Sequence, residues 1–191
     1  MGFDMNAFSL AGKKAIVTGG AKKTGLCYGM AVALHDAGAE IVILDANSQV
    51  ENTVAELGGA KSGYHAVVAN LLDLNDLSNG FQQAISALGG RLDILVNGAG
   101  LQYRCPSEEF PEAAWDRIMG VNIKGVFFMS QLAGKVVLKQ GKGKIINIAS
   151  TNSFIGLRNM PAYVSSKGGV KQLTMALSSE WSGRGINVNA I

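Results

Sequence analysis

The stretch IVTGGAKKTGLCYGMA, residues 16–31, decides how the rest of the chain is read. It opens apolar and β-branched, turns through a pair of glycines, and closes on residues spaced for a helix. A strand that runs into a helix through glycines presents unpaired backbone N–H groups and about half a positive charge where a phosphate can approach closely. Glycines at such a turn can also serve the turn alone, so the loop by itself leaves both readings open.

Outward from this loop the same alternation repeats. Near-continuous apolar runs at AIVT (15–18), IVILD (41–45), YHAVVA (64–69), DILVN (93–97), IINIAS (145–150) and INVNAI (186–191) predict six strands buried on both faces of a parallel sheet. The intervening stretches carry apolar residues near i, i+3, i+4 spacing and end close to glycine, which predicts five crossover helices. Strict alternation with right-handed crossovers gives an α/β, doubly wound parallel sheet of Rossmann type, in a single domain spanning 1–191. Ligands bind such sheets at the carboxyl ends of the strands, beside the first strand. Attention falls on Gly19 to Gly25, Asp45, Asn70, Asn97 to Gly100 and Ser150.

Composition narrows the function classes. With 191 residues, 48% hydrophobic and 16% charged, the chain can bury one substantial core. Its formal charge of +3 is dispersed, with no basic run longer than Lys13-Lys14 or Lys22-Lys23, which argues against nucleic acid as a partner. The N-terminus carries Asp4 and no long apolar region, and Asn6 stands where a myristoylation signal has Ser or Thr. The longest apolar run, from Val126, is interrupted by Ser130, Gln131 and Lys135, so no membrane span is expected. Cys27 and Cys105 lack metal-ligand spacing; no metal site is expected, and two unpaired thiols suit a cytoplasmic location.

Asp45 ends the second strand about 20 residues beyond the loop, where a carboxylate can accept hydrogen bonds from both ribose hydroxyls of an adenosine and repel a 2′-phosphate. That favours NAD over NADP, whereas Lys22 pulls the other way as a cation able to pair a 2′-phosphate. Tyr163 and Lys167 stand at i and i+4 on one helical face, beyond Ser150 at the end of the fifth apolar run.

Taken together, TG…G at 18–25, Asp45, N-x-A-G at 97–100, N-x-x-G at 122–125, and Ser150 followed thirteen positions later by Tyr163-x-x-x-Lys167 resemble the short-chain dehydrogenase/reductase family from about Phe8 onward. The resemblance implies that Tyr163 is the catalytic acid/base, that Lys167 binds the nicotinamide ribose and lowers the tyrosine pKa, that Ser150 orients the substrate oxygen, and that Asn122 supports a water-linked proton relay. It implies that Gly19, Lys22, Thr24, Gly25, Asp45, Asn70 and Asn97, with Tyr163 and Lys167, bind the cofactor. It also implies a small-molecule substrate and a homo-oligomer, dimer or tetramer, with the helices from Pro111 and Ala162 against a second subunit.

The implied activity is NAD(H)-dependent interconversion of a secondary alcohol and a ketone. FSLAGKKAIVTG, GLQYRCPSEEF, NIKGVFFMSQ and KIINIASTNSFIG are most similar to the sugar-acid branch of that family, its gluconate 5-dehydrogenases and 2-dehydro-3-deoxy-gluconate 5-dehydrogenases. Arg104 and Arg158 flank the substrate side, where guanidinium forks suit a carboxylate; the other reading makes both solvated surface arginines. Two further readings stay open: an NADPH-dependent 3-oxoacyl-carrier reductase, and a non-catalytic nucleotide-binding homologue.

The chain departs from the family pattern at four positions and in length. Lys23 replaces a glycine, Thr24 an aliphatic residue, Gly98 a second Asn, and Asn70 an acid. The sequence given stops at Ile191, before a Pro-Gly turn that in the family supports the nicotinamide. The expectation is a chain truncated before the last strand, with folding and cofactor binding impaired if the polypeptide ends there.

Overall fold

The computed structural model describes residues 5–191. β1 (Lys14–Thr18), β2 (Glu40–Asp45), β3 (Tyr64–Val68), β4 (Ile94–Asn97), β5 (Gly143–Asn147) and β6 (Ile186–Ala190) form one sheet. All five neighbouring pairs are parallel. The order β3-β2-β1-β4-β5-β6 shows the chain winding outward from β1 to one edge, then crossing back to wind toward the other. This reversal leaves a crevice beyond the carboxyl ends of β1 and β4.

The central strands carry uninterrupted apolar runs at 15–17, 41–44 and 94–96 because both faces are covered there. Ile16, Val42, Leu44 and Leu95 pack on one face with Leu77 and Phe81 of α3 (Leu74–Ala87), Met129 and Val137 of α5 (Val126–Gln140), and Leu177 and Trp181 of α6 (Pro161–Trp181). Ala15, Val17, Ile41, Ile43 and Val96 face the other way, toward Ala31 of α1 (Leu26–Asp36) and Val50 and Val54 of α2 (Gln49–Glu56). Burying a side chain such as Phe81 contributes roughly 2–3 kcal/mol by area removed from water. Asp73 starts α3 by accepting hydrogen bonds from the N–H groups of Asn75 and Asp76, as an N-cap carboxylate should.

Two local features differ from the sequence expectation. The helix predicted from Pro111 is divided into α4 (Glu112–Met119) and α5 by a π-helical segment, Gly120–Gly125. This segment presses on the loop after β3: a Cβ on Gly120 would lie 2.6 Å from Leu72 Cδ2, and one on Gly125 would lie 3.2 Å from Leu71 Cβ. β5 ends at Asn147, so Ser150 lies on the following loop and not at the strand end, where its hydroxyl caps the turn Thr151–Ser153.

The 29 residues Glu112–Gln140 are long and apolar enough to cross a membrane by length and composition, despite the polar interruptions noted from the sequence. Half of their most apolar window is nevertheless buried inside the fold, the pattern of a core helix. Trp181 packs on Gly134 of this helix so closely that a Cβ there would lie 2.8 Å from the indole.

Candidate active site

A cleft of about 540 Å³ opens over the crevice, lined by the glycine loop, the turn after β2 at Asp45, the loop after β3 at Asn70, and Gly98, Ala99 and Gly100 after β4. Gly19 and Gly20 have φ values of +82° and +115°, a region costly for residues with a Cβ. A Cβ on Gly20 would also stand 3.1 Å from Ile43 Cγ2, so the loop lies close on the sheet. Thr18 staples the first and fourth loops: its hydroxyl oxygen accepts from the N–H groups of Gly98 at 3.0 Å and Ala99 at 3.2 Å.

Asp45 holds the same loop from the other side. Its Oδ2 accepts from Ala21 N–H at 3.0 Å and its Oδ1 from Asn47 N–H at 2.9 Å, while the Thr53 hydroxyl donates to the Ala21 carbonyl at 2.7 Å. Lys22 lines the cleft, but Lys23 turns away to pair with Glu56 on α2. Gly25 lines the cleft and caps α1, whereas Thr24 is exposed and outside the lining. Asn70 lines it with its Oδ1 accepting from Leu72 N–H at 3.0 Å.

The side chain of Asn97, expected on the cofactor, lies outside the cleft lining. It is buried between β4, β5 and α5, donating from Nδ2 to Ser130 Oγ and Asn147 Oδ1, both at 2.9 Å. Strand alternation turns it to the covered face of the sheet, and the cleft wall begins at Gly98. The remaining cradle suits a dinucleotide. It combines glycines that admit close backbone approach, a helix N-terminus, and a carboxylate at the end of β2.

A second pocket of about 560 Å³ shares Leu26, Gly98, Gly100 and Leu101 with the cleft and is walled by Ile148, Ser150, Tyr163 and Lys167. Pro161 at the start of α6 fixes the first turn, so Tyr163 and Lys167 stack one turn apart. Lys167 is buried; its ammonium donates to the Ile148 carbonyl at 2.5 Å and lies 5.8 Å from the Tyr163 ring centroid. Burial lowers its pKa from the usual lysine value, with the nearby Cys27 thiol opposing the shift. The Ser150 hydroxyl accepts from Asn152 N–H at 3.1 Å and donates to Asn152 Oδ1 at 3.2 Å.

Asn122, within the π segment, is fully buried and acts as a clamp. Its Oδ1 accepts from Leu101 N–H at 2.7 Å, and its Nδ2 donates to the Leu101 carbonyl at 2.9 Å and to Ser166 Oγ at 3.0 Å. Ser166 Oγ in turn donates to the Tyr163 carbonyl at 2.7 Å. The amide thereby ties the loop after β4 to the first turns of α6.

Arg104 and Arg158 are exposed, and neither lines the pocket at Tyr163. Among the described residues, no three His, Cys, Asp or Glu side chains gather as a metal site would require.

The sequence profile of the short chain dehydrogenase family matches residues 13–191. The chain belongs to that family. It is 43% identical over 188 residues to the 2-dehydro-3-deoxy-D-gluconate 5-dehydrogenase of Escherichia coli (strain K12), covering 98% of this chain and 73% of that protein. It is 37% identical over 185 residues to the D-threitol dehydrogenase of Mycolicibacterium smegmatis (strain ATCC 700084 / mc(2)155), covering 96% and 70%. The crystal structure of a gluconate 5-dehydrogenase from Burkholderia cenocepacia J2315 in complex with NADP and tartrate is similar with a TM-score of 0.89. The identity is 31%, over 97% of this chain and 72% of that one.

Three lining residues of this short-chain dehydrogenase escaped the sequence reading: Cys27, Arg117 and Gln102. Cys27 carried a signal in its partner, Gly98. A Cβ at position 98 would lie 2.4 Å from Cys27 Sγ, so the thiol fills space that a larger residue there would need. Burial pushes the Cys27 thiol pKa up and Asp45 adds to the shift, while Lys167 pulls it down. Gln102 lies in the irregular segment after β4, and Arg117 lies on α4, where helical spacing alone does not say that it reaches the cleft.

Proposed function

We propose that this short-chain dehydrogenase interconverts a secondary alcohol and a ketone on a polyol or sugar acid, using NAD(H). The observation that carries the reading is the convergence of Ser150, Tyr163 and Lys167 on one pocket that runs into the Asp45 cleft through Gly98, Gly100 and Leu101. Nicotinamide, when bound, supplies or accepts the hydride.

The chain's own residues handle the proton and the geometry. The Tyr163 phenolate oxygen takes the alcohol proton in oxidation, and the hydroxyl so formed returns it in reduction. Lys167, held by the Ile148 carbonyl, places its ammonium 5.8 Å from the Tyr163 ring centroid. Ser150, oriented by the Asn152 N–H, turns its one hydroxyl hydrogen from Asn152 Oδ1 to the substrate oxygen. The Asn122 side chain is consumed by Leu101 and Ser166, so it acts by positioning the pocket walls.

Asp45 supports NAD: its carboxylate would face the ribose and repel a 2′-phosphate. The Burkholderia structure holds NADP, and Lys22 lines the cleft here, so NADP remains the competing cofactor. An NADPH-dependent 3-oxoacyl-carrier reductase is disfavoured by Asp45, and a non-catalytic homologue by the retained pocket. We also place the chain as one catalytic domain in a cytoplasmic homo-oligomer, dimer or tetramer. The half-buried Phe127, Phe128, Leu132 and Leu173 supply apolar surface for such contacts.

Oxidation of D-gluconate and its neutral counterpart D-glucitol tests the substrate class. Both should be turned over with kcat/KM within about tenfold, because exposed arginine pairs are worth roughly 1 kcal/mol or less. Turnover of neither, with NAD or NADP, would contradict the proposal.

A further inference from the structure

We infer that Gln102 reads the hydroxyl next to the reacting carbon and so sets a preference for polyhydroxylated substrates; this rests on the alcohol–ketone reading above. Among the described residues lining the catalytic pocket, Ser150, Tyr163 and Lys167 serve the reacting oxygen. The other side chains around them are apolar, including Leu26, Met30 and Ile148, and Gln102 is the polar one left without a task. A carboxamide offers a carbonyl acceptor and two N–H donors, which matches a hydroxyl that both donates and accepts.

The backbone makes Gln102 suited to discrimination. The preceding residue, Leu101, is held through both its N–H and its carbonyl by the buried Asn122, at 2.7 and 2.9 Å. At the far end of the segment, Cys105 N–H donates to the Asn159 carbonyl at 2.9 Å, and Asn159 sits in the left-handed region with φ 63°. Between these ties Tyr103 meets Phe110 edge-on, with ring centroids 5.6 Å apart. Gln102 is thus an exposed side chain on a segment tied at both ends, and it lines the mouth of the pocket, whereas the equally exposed Arg104 does not.

The test compares NAD-dependent oxidation of 2,3-butanediol, which carries a neighbouring hydroxyl, with that of 2-butanol, which lacks it. The wild-type enzyme should favour the diol. Gln102→Leu should lower kcat/KM for the diol about five- to tenfold, mainly through KM, the size of one partly exposed hydrogen bond. It should change 2-butanol by less than about twofold and leave the melting temperature in place. Equal losses on both alcohols would make Gln102 a structural residue and overturn the inference, as would an unchanged diol preference in the variant. A wild-type enzyme that oxidises both alcohols equally would overturn it as well. Wild-type enzyme that oxidises neither would instead remove the alcohol–ketone reading beneath it.

Discussion

Replacing Tyr163 by Phe should lower kcat by about a thousandfold while leaving NADH affinity within about twofold. The substitution removes one hydroxyl and keeps the ring that packs near Lys167, so it deletes proton transfer and little else. General acid–base groups contribute roughly a hundred- to ten-thousandfold, and a central value fits a pocket in which no other described side chain is placed as a phenol is. Steady-state kinetics alongside fluorescence titration of NADH separate the two effects. Retained turnover would remove Tyr163 from the chemistry, and a parallel loss of NADH binding would show that its role is structural.

The second large effect lies at the other end of the cleft. Wild-type enzyme should prefer NADH to NADPH about a hundredfold in kcat/KM. Two unit charges about 4 Å apart interact by about 4 kcal/mol at an effective dielectric near 20, and partial solvation at Asp45 reduces this. Asp45→Ser should narrow the preference to about tenfold or less. It should also raise the KM for NADH, because the carboxylate that holds the Ala21 and Asn47 N–H groups is lost. Ketone reduction with each cofactor gives the ratio. An unchanged preference in the variant would mean that the ribose is read elsewhere, with Lys22 the first residue to examine.

Much of this architecture was legible because it is written in local patterns. β2 is apolar without interruption over 41–44 because both faces are covered, and the turns after such strands hold the small and polar residues a ligand requires. Tyr163 and Lys167 were legible for a similar reason, since i, i+4 spacing on a helix fixes a shared face whatever packs around it.

What escaped depends on contacts distant in sequence. The π segment at Gly120–Gly125 exists where the helix meets Leu71 and Leu72, and apolar periodicity does not encode that meeting. Asn97 ends a strand beside the cleft, yet its face is set by sheet register, which turned it toward Ser130 and Asn147. Arg104 and Arg158 sit on loops whose course sequence spacing does not define, and both lie in solvent. The Gly98–Cys27 pair reads as two unrelated oddities in sequence and as one packing solution in space.

The central claim is that the cleft at Asp45 and the pocket at Tyr163 work as one site in which hydride passes between a substrate carbon and a nicotinamide. Oxidation of a secondary alcohol deuterated at its carbinol carbon, followed by NMR of the recovered cofactor, tests this most directly. The account predicts deuterium at the nicotinamide C4 position and none released to solvent. Reduced cofactor without deuterium, or an oxidised alcohol with no reduced cofactor, would contradict it.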